Sequence, residues 1–130
     1  MLNYNKTVII GRLTKDPEIV SYNGDKKMVK IRVAFSNRMK KGNEWVDESC
    51  YLTCVAFMDS QVKAIGDYFH KGRPILVEGQ LRLNEWTDKD GVKRSDYSLL
   101  IKEFGFVDKK PGDVSISSEE PVSESGFDSV

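Results

Sequence analysis

Among the side chains able to do chemistry, the ones needed for turnover are sparse. His70 is the single histidine, and no acid or nucleophile stands at a fixed spacing from it. Cys50 and Cys54 are the two cysteines; with one histidine they cannot supply a four-ligand zinc set. Four residues apart on a strand they point to one face, as small reduced core residues would. No glycine-rich loop ends in the lysine that cradles phosphates, and the carboxylates of "KDPE" and "WVDES" lack metal-binding spacing. An enzyme is therefore not expected, and neither is a metal or other cofactor.

Flat rings beside cations offer a different chemistry. In "EGQLRLNEWTDKDGVKRSDY", residues 78–97, alternation along a strand puts Arg82, Asn84 and Trp86 on one face. Single-stranded nucleic acid is held without sequence preference by rings on which bases stack and by cations that follow the backbone. Tyr51 and Phe57 are further candidates. In "ESCYLTCVAF" (48–57) Cys50, Leu52, Cys54 and Ala56 form a small apolar face suited to a core. Tyr51, Thr53, Val55 and Phe57 then face outward, open or covered by something other than this chain's own core. The competing reading packs Trp86 on its own hairpin against Tyr97 and makes Tyr51 and Phe57 a second core layer. Trp45 stands in a polar stretch, where a ring folds back or meets a ligand. Lys40 and Lys41 adjoin Gly42 and read as a flexible loop able to reach phosphates.

The elements that must position these residues are mostly strands. "TVIIGRL" (7–13) is an apolar run broken by Gly11, a mark of a bulge or sharp bend. In "MVKIRVAFSNR" (28–38) Val29, Ile31, Val33 and Phe35 alternate with Lys30, Arg32, Ala34 and Ser36, so Lys30 and Arg32 share the outer face. "DSQVKAIGDYFHKGRP" (59–74) predicts the one helix, with Asp59 or Ser60 as N-cap, Val62, Ile65 and Phe69 on its apolar face, and Gly72 and Pro74 as stops. Strands over 75–86 and 94–107 follow, joined through Asp90-Gly91 as a hairpin. Three strands, one helix, then a long hairpin is the layout of the OB-fold, a five-stranded Greek-key barrel.

Charge divides the chain. Residues 1–107 carry 18 Lys and Arg against 14 Asp and Glu, a balance of +4, while residues 108–130 carry 2 against 6, a balance of −4. A mildly basic body suits a polyanionic partner. Rich in Ser, Glu, Pro and Gly, 108–130 reads as a disordered acidic tail behind a 1–107 domain. No apolar run approaches the length of a membrane span, and the N-terminus lacks a signal-peptide layout, so a cytoplasmic location is expected.

"NKTVIIGRLTKDPE" (5–18), "CVAF" (54–57), "YFHKGRPILVEGQLR" (68–82) and "WTDKDG" (86–91) together closely resemble the bacterial single-stranded DNA-binding protein family, in order and in spacing over about residues 3–107. The resemblance implies an OB-fold that wraps single-stranded DNA in replication, recombination and repair, usually as a homotetramer associated with the nucleoid. It implies stacking roles for Trp86, Tyr51 and Phe57 and a phosphate contact for Lys71. Leu52 and Leu76 are candidate interface residues that could equally be core.

Three departures from the family pattern stand out. Met39 stands where many members have a stacking Trp at the end of the second strand, so that platform is expected to be lost or replaced by a softer DNA contact from Met39. Leu83, Asn84 and Glu85 stand where basic residues commonly precede the hairpin Trp, a loss for which Lys30, Arg32, Arg38, Lys40 and Lys41 are the expected compensation. The chain ends "SESGFDSV" instead of in an acidic run closed by Pro-Phe, so recruitment of replication and repair enzymes is expected to be impaired. The rival expectation is an OB-fold protein-interaction subunit with weak DNA binding.

Overall fold

The computed structural model describes residues 2–107 and 114–116. In chain order the elements are β1 (Thr7–Leu13), β2 (Glu18–Tyr22), β3 (Lys26–Lys41), β4 (Glu44–Ala56), α1 (Asp59–Tyr68), β5 (Pro74–Thr87), β6 (Lys93–Val107) and β7 (Val114–Ile116).

Closure follows from β1 pairing on both sides. Thr7–Arg12 pair antiparallel with β5, and Arg12 and Leu13 pair with Ala34 and Val33 of β3. With β5–β6, β3–β4 and a parallel β4–β6 contact, five strands complete the ring β1-β3-β4-β6-β5. This is the expected OB-fold barrel. Gly11 sits where β1 changes partners, and a Cβ there would run into the carbonyl oxygen of Ala34. Gly79 sits at the register shift between β5 and β6, and a Cβ there would meet the Leu100 carbonyl. Both glycines let one backbone approach another where a barrel must bend.

The core is made of inward-facing strand residues. Val29, Ile31 and Val33 of β3, Cys54 and Ala56 of β4, Ile75 and Val77 of β5, and Leu99 and Phe104 of β6 are buried. Helix α1 closes one end through Val62 and Ile65. Cys54 lies in this core, where burial pushes its thiol up to about 12 and leaves it inert, while Cys50 is half-buried and free. Leu76 is buried within the single chain, which settles it as interior, and Leu52 packs partly buried against the core.

Several boundaries differ from expectation. β2 is an added strand, turned into β3 through Asn23 and Gly24, both in the left-handed region (φ 46° and 81°). β3 and β4 run three and four residues further than expected, to a two-residue Gly42-Asn43 turn with Gly42 at φ 63°. Lys40, Lys41 and Trp45 are thus strand residues, because a glycine-first turn matches strand twist and needs no loop. The N-cap is Met58, without a side-chain bond; Asp59 instead lies in the first turn, where its charge suits the helix dipole. Phe69 is the C-cap, and Gly72 (φ 89°) belongs to the following turn. Within the expected tail, Val114–Ile116 pair antiparallel with the end of β6; residues 108–113 and 117–130, and with them the "SESGFDSV" terminus, lie outside the described residues.

Candidate nucleic-acid interface

Register decides which side chains share a face, because partnered residues in a sheet point the same way. On β3 and β4 the pairs Lys40 with Trp45, Arg38 with Asp47, Ala34 with Tyr51, Arg32 with Thr53 and Lys30 with Val55 form one outer face. Thr53 partners Ser98 of β6, and Ser98 partners Arg82 of β5. Asn84 with Asp96 and Trp86 with Arg94 continue the same face toward the hairpin tip. A single outer surface across four strands therefore carries Trp45, Tyr51 and Trp86 together with Lys30, Arg32, Arg38, Lys40 and Arg82.

The rings on it are open: Tyr51 is 57% exposed, Trp45 58% and Trp86 48%. Cations stand over two of them. The Arg32 guanidinium carbon lies 5.8 Å from the Tyr51 centroid, and that of Arg38 5.6 Å from the Trp45 centroid. Arg32 Nη1 also donates to Thr53 Oγ1 at 3.0 Å, which fixes it beside the Tyr51 ring. Trp86 is not paired with Tyr97. Tyr97 partners Leu83 on the other face, and among the described residues no aromatic ring pairs with Trp86.

A built turn supports Trp86. Asp88 Oδ1 accepts from the backbone N–H of Asp90 and of Val92, each at 2.9 Å, and its Oδ2 accepts from Arg94 Nε at 2.9 Å. Arg94, then the Val92 N–H, holds the Asp88 carboxyl below its ordinary range. Below the turn, Asn84 Nδ2 donates to Ser98 Oγ at 3.0 Å, locking the two strands under the ring. Asn84, counted among the losses because it replaces a cation, thus acts as a strut.

Phe57 follows β4 at the edge of this surface, 36% exposed, with the Tyr22 ring edge-on at 5.5 Å and 86°. Lys71 lies on an exposed turn whose backbone N–H donates to Asp16 Oδ1 at 2.8 Å. Met39 does not join the set. It partners Val46 on the opposite face from Tyr51 and Trp45, as does Lys41 with Glu44, because strict alternation persists to the turn. The sequence leaves Trp45 open between folding back and meeting a ligand. Counting back by twos from Tyr51 through Ser49 and Asp47 reaches it, but only if β4 is taken to start at Glu44.

Among the described residues, no group of three or more His, Cys, Asp or Glu side chains is placed to hold a metal. Nor is any helix there long and apolar enough to cross a membrane.

Residues 4–107 match the model of the single-strand binding protein family. A single-stranded DNA-binding protein of Borreliella burgdorferi is 33% identical over 102 residues, covering 78% of this chain and 68% of that protein. One from Wolinella succinogenes is 35% identical over 109 residues, covering 82% and 66%. The chain spans about two thirds of the length of these relatives. Among solved structures, a Plasmodium falciparum SSB complex with ssDNA superposes with a TM-score of 0.77 at 23% identity, over 83% of this chain and 98% of that one. A small single-stranded DNA-binding protein from Streptomyces coelicolor gives 0.66 at 18% identity, over 82% and 96%. At such identities the structural likeness speaks for the fold, and the family match rests on sequence: the chain belongs to the single-strand binding protein family.

Proposed function

We propose that this protein binds single-stranded DNA without sequence preference and without turnover, in the cytoplasm, to protect exposed strands during replication, recombination and repair. The observation that carries this reading is the shared outer face, on which Trp45, Tyr51 and Trp86 lie open with Lys30, Arg32, Arg38, Lys40 and Arg82 between them. Bases stack on the rings, and because every base has a flat face the site is tolerant of sequence. Phe57 extends the path at one edge and Lys71 meets phosphates from its turn. The names of the relatives support the same reading.

Self-association as a homotetramer belongs to this proposal. It is supported by apolar side chains left open in one chain: Val8 and Ile10 on β1, and Leu83 and Tyr97 on the other face of the hairpin.

Competition titration tests the binding reading. Oligo-dT and mixed-sequence single strands of equal length should displace a labelled strand equally well, and duplex of the same sequence should compete poorly. Equal competition by duplex, or retention of no strand at low salt, would leave the barrel as a protein-contact subunit.

A further inference from the structure

We propose that Arg12 is a phosphate-binding residue that grips the backbone of a nucleotide whose base rests on Tyr51. The proposal rests on the DNA-binding reading above and extends it to β1, the one strand of the five-stranded ring that contributes nothing to the outer surface described so far. Arg12 of β1 partners Ala34 of β3, and Ala34 partners Tyr51 of β4. The three therefore form one row on one face, with Arg12 and Tyr51 two strand spacings, about 10 Å, apart. Between them stands only the methyl of Ala34, flanked by the bare backbone of Gly11. The result is an open groove of about 930 Å³, lined among others by Gly11, Arg12, Ala34, Ser36, Tyr51 and Gly72. One wall is a flat exposed ring, the opposite wall a cation, and the floor is low between them.

Arg12 is exposed yet held. Its Nη1 donates to the Gly72 carbonyl at 2.9 Å. That turn is itself tied to the end of β1: Gly72 N–H donates to Leu13 O at 2.8 Å, Leu13 N–H to Arg73 O at 3.2 Å, and Lys71 N–H to Asp16 Oδ1 at 2.8 Å. A guanidinium has five N–H donors, so the bond to Gly72 leaves four for a ligand, in the planar fork that suits phosphate oxygens. Among the described residues no carboxylate forms a salt bridge with Arg12. Arg73, which also lines the groove, is committed elsewhere: its guanidinium lies over the Phe69 and Phe106 rings at 5.1 and 5.2 Å and donates to the Tyr68 carbonyl.

The test is the salt dependence of oligo-dT affinity for the native chain and for Arg12→Ala, Arg12→Gln and Arg12→Lys. Each phosphate contact contributes about −0.7 to the slope of log affinity against log salt. Arg12→Ala and Arg12→Gln should be shallower by about that amount per bound phosphate, and Arg12→Lys should stay close to native. A purely structural Arg12 would change affinity without changing the number of phosphates neutralised, and would leave Arg12→Gln and Arg12→Ala with the native slope. In a Tyr51→Ala background, Arg12→Ala should cost fewer fold in affinity than it does alone, since both side chains hold one nucleotide. Tight native binding with unchanged slopes in Arg12→Ala and Arg12→Gln would overturn this proposal alone. A native chain that retains no oligonucleotide would overturn the DNA-binding reading and this proposal together.

Discussion

Tyr51 and Met39 present opposite cases of a side chain near a candidate ligand path. Tyr51 is open, lies under Arg32 and shares its face with the other rings; Met39 points away on the other side of β3. Truncating a stacking ring costs about 1–3 kcal/mol per base. Tyr51→Ala is therefore expected to weaken oligo-dT binding by about 5- to 150-fold, and Met39→Ala to leave it within about twofold, as equilibrium titration would show. Alternation made Tyr51, Lys30 and Arg32 legible in the sequence. Carried through to the turn it also turns Met39 away; Met39 entered by likeness to a family pattern, which aligns positions but does not say which face of a twisted ribbon they occupy. A second residue-scale expectation concerns Asp88. Its carboxyl is held below the ordinary 3.8 by Arg94 and the Val92 N–H, so its contribution to the turn is complete above that value. It is lost as pH falls below 3.8 through the lower folded value. Protection of the Val92 amide, its exchange relative to the free-chain rate at the same pH, should fall in that acid window, and Asp88→Asn should remove the acid step.

At the scale of elements, the barrel depends on backbones that touch. Gly11 packs on the Ala34 carbonyl at the point where β1 leaves β5 for β3. Gly11→Ala must push those strands apart, an overpacking cost of about 1–3 kcal/mol or more. Thermal melting should show a fall of at least several degrees; an unchanged midpoint would mean that β1 adapts and closure is loose. The sequence marked Gly11 as a bend, and the five barrel strands and the helix were readable from alternation and from stop signals. β2 was not read, although Asn23-Gly24 is a strong hairpin signal, because "EIVSY" is too short to show a period. The full lengths of β3 and β4 were hidden by polar residues. Past Phe35 the strands leave the core, so the scattered Met39, Trp45 and Val46 set up no buried alternation, and it is the pairing from Ser36 with Ser49 out to Lys41 with Glu44 that reveals the ribbon.

For the molecule as a whole, the basic body presents one continuous surface of rings and cations, and apolar residues elsewhere remain uncovered in a single chain. The proposed tetramer predicts a mass by light scattering four times the 14.8 kDa of one chain, with Ile10→Arg lowering it; a native monomer would contradict that part of the account. The surface itself was only half visible in the sequence. Its residues were named strand by strand, but their union on one face depends on the parallel β4–β6 contact between Thr53 and Ser98, a long-range pairing that no local pattern encodes. In the proposed complex Trp86, 48% exposed in the free chain, exchanges its water for a stacked base. Tryptophan fluorescence during titration with oligo-dT of graded lengths tests it most directly, on the native chain and on Trp86→Ala with Trp45 left to report. Deep quenching is expected in the native chain, with a smaller residual quench from Trp45 and weakened affinity in the variant. Equal quenching and equal affinity in the two proteins would contradict it.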